Sequence, residues 1–270
     1  MKKILALLLT SAMCLSLTAC GNSSSQDNEV NEQTETSDLA YVQDKGSLIV
    51  GITEFEPMDY QDADGKWIGF DADMAAAFAE SLGVDVQFRL IEWDKKVAEL
   101  EDKKIDVVWN GMTLNDETRS TMETTNAYFN NAQVVIVKAD DADQYQTVES
   151  LADAVFAVES GSAGQVQAGA HNFTYNEVPN QATALLHVSD GTSDAAIVDF
   201  LMAQAMIGEG TNYDDLTYTV SLSSEEYGVG FRKGSDLAAV LNGFFTSAYT
   251  DGSMASIART YGIGAFLLAQ

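Results

Sequence analysis

Two segments of this chain echo each other about ninety residues apart, and the echo constrains the fold more than any other feature. Lys104-Ile-Asp-Val-Val-Trp-Asn-Gly-Met-Thr113 and Thr192-Ser-Asp-Ala-Ala-Ile-Val-Asp199 each run from an aspartate through a short apolar strand to polar groups at the strand's carboxyl end. Open α/β sheets place their ligands at that end. Two such strands imply two lobes facing a shared cleft, and 270 residues suffice for each lobe to bury a core of its own.

The stretches between them support this. Leu48 to Ile52 reads as a buried strand, and Asp62-Ala-Asp-Gly65 as a hairpin turn. That turn is no calcium loop, because an EF-hand needs its glycine at the sixth position and Gly65 stands fourth from Asp62. Asp71 to Leu82 reads as a helix, with Met74, Phe78 and Leu82 on one face and Gly83 as its stop. Strand Val84 to Leu90 follows, then a helical stripe of Trp93, Val97 and Leu100, then strand Ile105 to Trp109. Such alternation predicts parallel pairing. Val134 to Val137 reads as the last strand before a second lobe, with the acidic run Asp140 to Asp143 as the exit. The second lobe repeats the pattern with strands Ala154 to Val158, Thr174 to Val178 and Ala195 to Val198 and a helix over Gln181 to Val188. Tyr227 to Phe231 reads as a returning strand, and helices Leu237 to Tyr249 and Met254 to Tyr261 complete the first lobe.

The ends and the charge bound the setting. Lys2 and Lys3, the apolar stretch Ile4 to Leu17, and Leu17-Thr-Ala-Cys20 read as a targeting segment, too short for the ~20 residues of a membrane-spanning helix. Its end resembles a bacterial lipobox, in which cleavage leaves Cys20 to carry diacylglycerol. Residues 1–19 are then signal peptide, and residues 20–38, rich in Asn, Ser, Gln, Glu and Thr, a disordered tether. With Cys14 removed, one cysteine remains and no internal disulfide is possible. A net charge of −27 makes nucleic acid a poor partner.

In order along the chain, Gly69-Phe-Asp-Ala-Asp73, Trp93-Asp94, Lys104-Ile-Asp106, Gly111-Met-Thr113, Asn126-Ala-Tyr128 and Asp194-Ala-Ala-Ile-Val-Asp199 resemble the polar amino acid receptors of bacterial ABC importers, the family 3 solute-binding proteins. The ordered set spans nearly all of Gly46 to Tyr261. The resemblance implies a two-lobe, periplasmic-binding-protein-like α/β fold, each lobe a mostly parallel sheet flanked by helices, joined by a two-strand hinge. Lobe 1 is expected over residues 39–137 and 226–270 and lobe 2 over 138–225. It implies a monomer, lipid-anchored at the outer face of the bacterial cell membrane, that closes on an amino acid or related small solute and presents it to an ABC permease, with no cofactor and no metal.

The expected ligand contacts follow residue by residue. Asp199 matches the family's amine-binding aspartate; its alternative is a cap on the helix from Phe200. Gly161-Ser-Ala-Gly164 opens a helix, where free N–H groups favour an anion, and by resemblance Ser162 meets the ligand carboxylate. It is no nucleophile elbow, since Ser160 stands where a glycine is required. Gly111 is expected to supply a backbone contact and Thr113 a hydroxyl, unless Thr113 is only a turn residue. The family's carboxylate-clamping arginine is replaced here by Thr118, with Arg119 one residue late, a rotation of about 100° on a helix. Either the turn is rebuilt so that Arg119 reaches the cleft, or Arg119 faces solvent. Phe55, Tyr60 and Trp109 are candidate walls, with Phe55 nearest the family's stacking aromatic and Trp109 leaning to core. Glu54 and Glu56 either favour a basic or amide side chain or are solvated loop acids. The alternatives to a receptor are a dehydratase-type enzyme on the same scaffold, resting on carboxylates, and a ligand sensor.

Overall fold

The computed structural model describes residues 37–270; the expected signal peptide, Cys20 and all but the end of the expected tether lie outside the described residues. The tether ends earlier than expected. Ser37 accepts a hydrogen bond from the Ala40 amide and caps helix α1 (Asp38–Lys45), and Arg232 grips the Asp38 carboxylate, so residue 38 belongs to the folded body.

From α1 the chain forms β1 (Ser47–Ile52), the hairpin β2 (Tyr60–Gln61) and β3 (Trp67–Ile68), α2 (Phe70–Leu82), β4 (Asp85–Leu90), α3 (Lys96–Glu101), β5 (Val107–Thr113), α4 (Asp116–Thr121), β6 (Glu123–Thr124) and β7 (Phe129–Asn131). It then builds a second sheet through β8 (Gln133–Lys138), β9 (Val155–Glu159), α5 (Ala163–Ala170), β10 (Thr174–Val178), α6 (Gln181–Ser189), β11 (Ala195–Asp199), α7 (Phe200–Met206) and β12 (Leu216–Ser221). It returns with β13 (Glu225–Phe231), α8 (Leu237–Thr250) and α9 (Ser253–Thr260).

The first sheet has the order β4-β1-β5-β13-β6, with β7 also on β13; the second has the order β10-β9-β11-β8-β12. Within each, the strands joined by crossover helices are parallel: β1 with β4 and β5, and β9 with β10 and β11. The strands that arrive from the other lobe, β8 and β13, are antiparallel to their neighbours. Both enter from the cleft, where the resident strands end, and so run the opposite way. The apolar run Val134 to Val137, expected to close the first lobe, therefore belongs to the second sheet, and the first crossing falls at Ala132. An apolar run identifies a buried strand but carries no information on which sheet receives it.

The paired aspartates have a structural task. Asp106 accepts the Ile49 N–H at 2.8 Å and Asp194 accepts the Val155 N–H at 2.8 Å, so each holds the start of the parallel strand beside its own. Their strands, β5 and β11, are almost wholly buried, as expected of strands covered on both faces. The largest apolar core runs through both lobes along the crossings, with smaller cores on the outer faces.

Candidate functional site

Both sheets end at one cleft, lined by residues of both lobes. Phe55, Gly111, Thr113, Ser162 and Asp199 all line it. Arg119 does not. Thr118, in the α4 position nearer the cleft, is buried and closes a reciprocal cap with Asn115, its hydroxyl donating within the turn to the carbonyls of Thr113 and Asn115. Arg119 lies on the exposed side of α4. Of the two readings open for it, the solvent-facing one describes the structure, because the capped turn holds the register that the sequence implies.

On the first lobe, the floor is set by Gly111. Its φ of +54° and the Phe55 ring, 2.3 Å from where a Cβ would sit, leave room for glycine alone. Its N–H donates to Asp71 at 2.7 Å, and Tyr128 donates to the same oxygen at 2.8 Å. Burial pushes the Asp71 carboxyl up to about 7 despite these donors. Phe55, itself buried, packs edge-on against Tyr227. Thr113 donates to Glu225 at 3.1 Å. Trp109 is fully buried between Phe78 and Phe245 and is core, while Tyr60 packs on Tyr261 away from the cleft lining.

On the second lobe, Ser162 caps α5, its hydroxyl accepting from the Gln165 amide at 3.1 Å. Asp199 precedes α7 but makes no side-chain cap there. Its carboxylate turns inward, where Asn131, Gln133 at 3.0 Å, Tyr227 at 2.7 Å and Gln181 donate to it. Asn131 and Gln133 also donate to Glu225, at 2.6 and 2.8 Å. Burial and the neighbouring Asp199 charge push Glu225 up to about 8, and burial raises Asp199 as well.

Several cleft residues escaped the sequence reading, two of them buried and charged. Lys96, on α3, is buried; its ammonium donates to the Trp93 carbonyl at 3.1 Å and across the cleft to the Gly161 carbonyl at 3.0 Å, and lies 4.7 Å from the centre of the Trp93 ring. Glu159, the last residue of β9, is 3 % exposed, and its Oε1 has no hydrogen-bond partner. Their signals were present: a lysine at helical spacing within the stripe Trp93, Val97, Leu100, and an acid ending the apolar run Val155 to Val158. The lobes also touch directly here, since a Cβ on Gly161 would lie 2.7 Å from Asp94 Cα. Among the described residues, no cluster of three or more His, Cys, Asp or Glu side chains is arranged to hold a metal ion.

Fold and cleft together define a two-lobed solute-binding protein. The model of the bacterial extracellular solute-binding proteins, family 3, matches residues 48–264, and the chain belongs to that family. The L-cystine-binding protein TcyJ of Escherichia coli K12 is 29% identical over 231 residues, covering 83% of this chain and 85% of that protein. The ABC transporter glutamine-binding protein GlnH of Bacillus subtilis is 27% identical over 261 residues, covering 93% and 94%. A substrate-binding protein of an ABC uptake transporter from Streptococcus pneumoniae, solved with bound histidine, superposes with a TM-score of 0.76 at 28% identity, covering 84% of this chain and 96% of that one.

Proposed function

We propose that this chain is an extracytoplasmic receptor that binds a small amino acid-like solute between its lobes and delivers it to an ABC importer. The observation that carries this reading is the make-up of the cleft wall: Phe55 and Thr113 come from one lobe, Ser162 and Asp199 from the other. A solute touching both favours the closed arrangement by its differential contacts, and a permease reads the closed surface. The relatives' ligands, L-cystine, glutamine and histidine, are all α-amino acids and support the same class here. In this reading Phe55 walls the ligand side chain, Gly111 shapes the floor, Thr113 and Ser162 offer hydroxyls, and the Asp199 cluster supplies negative potential at the ammonium end. The receptor acts as a monomer held at the outer face of the cell membrane by lipid on Cys20.

A thermal-shift screen of the common amino acids and L-cystine tests the reading. At a hundred times Kd a ligand stabilises by about 2.7 kcal/mol, which for a chain of this size raises the melting temperature by roughly 5–10 °C. Stabilisation by none of them would sink the proposal. Recovery of the bound solute chemically unchanged by mass spectrometry separates a receptor from a dehydratase-type enzyme.

A further inference from the structure

We propose that this receptor selects amino acids whose side chain carries a positive charge, and that Glu159 is the residue that reads that charge; the assignment rests on the receptor reading above. Asp199 keeps the α-ammonium. Of its four donors, Asn131, Gln133 and Tyr227 all reach Oδ1 and only Gln181 reaches Oδ2, so Oδ2 retains a free lone pair for the ligand's N–H groups. Glu159 is then left for the ligand side chain. It ends β9, the strand between β10 and β11, and so stands on the strand next to that of Asp199 at the cleft edge of the second sheet. It is buried, it lines the cleft, and its Oε1 meets no protein donor. A side-chain cation brings the missing hydrogen bond and the counter-charge together.

The charges around the cleft give the sign. Glu54 and Glu117 lie at the exposed rim, whereas Asp199, Glu159 and Lys96 are the buried charged residues of its lining. Lys96 does not pair with Glu159. Its ammonium rests on the Trp93 and Gly161 carbonyls, and among the described residues no carboxylate comes within ion-pair distance of it. The α-ammonium and α-carboxylate of an amino acid cancel, so two buried acids against one cation leave an excess of negative charge. A positive side chain removes that excess, a neutral one leaves it, and an acidic one adds to it.

The groups that face Glu159 couple this selectivity to a proton. Burial and the Asp199 carboxylate of β11 push it up to about 8, while Lys96 of α3 and Gln181 of α6 pull it down. With no cation beside it, Glu159 therefore holds a proton at neutral pH. An arriving guanidinium or ammonium displaces that proton to solvent and takes its place, whereas a neutral side chain leaves it bound.

Isothermal titration of the full chain at pH 7, in two buffers of different ionisation heat, tests the assignment. The probes are L-arginine against its neutral isostere L-citrulline and L-lysine against L-norleucine, with L-glutamine, L-histidine and L-cystine beside them. The wild-type protein is expected to bind the better of arginine and lysine at least tenfold tighter than its isostere, and to release close to one proton more in doing so. Glu159→Gln is expected to bring that affinity ratio to within about threefold and to abolish the difference in proton release. A wild-type protein that prefers the neutral isosteres, or a ratio and proton difference unchanged in Glu159→Gln, overturns the assignment and leaves the receptor reading intact. Failure of every probe to bind the wild-type protein overturns both. The melting temperature of ligand-free Glu159→Gln controls for folding, and the comparison of isosteres on the wild-type protein needs no variant.

Discussion

Single residues show where the sequence was legible and where it was not. Asp199 could be placed because a polar residue ending an apolar strand sits at the ligand edge wherever the strand lies in the sheet. Glu159 ends an apolar strand in the same way and carried the same signal; Lys96 carried a weaker one, because its burial is created by the facing lobe and a lysine in a helical stripe reads as solvated until Gly161 closes over it. The buried acids make a second, testable mark. Asp71 is pushed up to about 7 and Glu159 and Glu225 to about 8, each with burial as the first cause. Unfolded carboxylates release their protons near pH 4, so between that point and pH 8 the folded state binds more protons than the unfolded one. Stability is then highest below the unfolded pKa and is lost as pH rises through the folded values. The ligand-free melting temperature is expected to fall from pH 5 to 8, and Glu159→Gln to flatten part of that slope. A melting temperature that climbs over the interval would contradict the assignment of these groups as buried acids without partners of opposite charge.

Among elements, the alternation of helix and strand was read directly from periodicity, as were the stops at Gly83 and the hairpin between β2 and β3. The crossing at Ala132 was not, because β8 is apolar along both faces and would suit either sheet. The turn between β9 and α5 carries its own prediction. Gly161 has φ +72°, which costs an L-residue about 1–2 kcal/mol, and its missing side chain is what lets the second lobe rest on the Asp94 backbone. Gly161→Ala is expected to hold the lobes apart. Small-angle scattering should show the wild-type protein contracting on ligand addition and the variant failing to do so, with affinity reduced at least tenfold. Equal contraction in both would remove this contact from any role in closure.

At the level of the whole molecule, two lobes share one continuous core along the crossings, which agrees with a body that bends at its centre. The N-terminal reading belongs to this scale too: Cys20→Ser is expected to release the protein from the membrane fraction into the medium, and retention of the variant on membranes would remove the lipid anchor from the proposal. A net charge of −27 disfavours any purely electrostatic hold on an anionic surface. One further consequence comes from where the Asp199 cluster stands. Its donors Asn131 and Gln133 flank one crossing, and Glu225 and Tyr227 open the strand that follows the other. The apparatus for bending is thus tied to Asp199, while Lys96, Thr118 and Glu159 sit on separate elements. Substitutions at those three positions are expected to change which solute binds while the pivot is left as it is, a route to building sensors of new solutes.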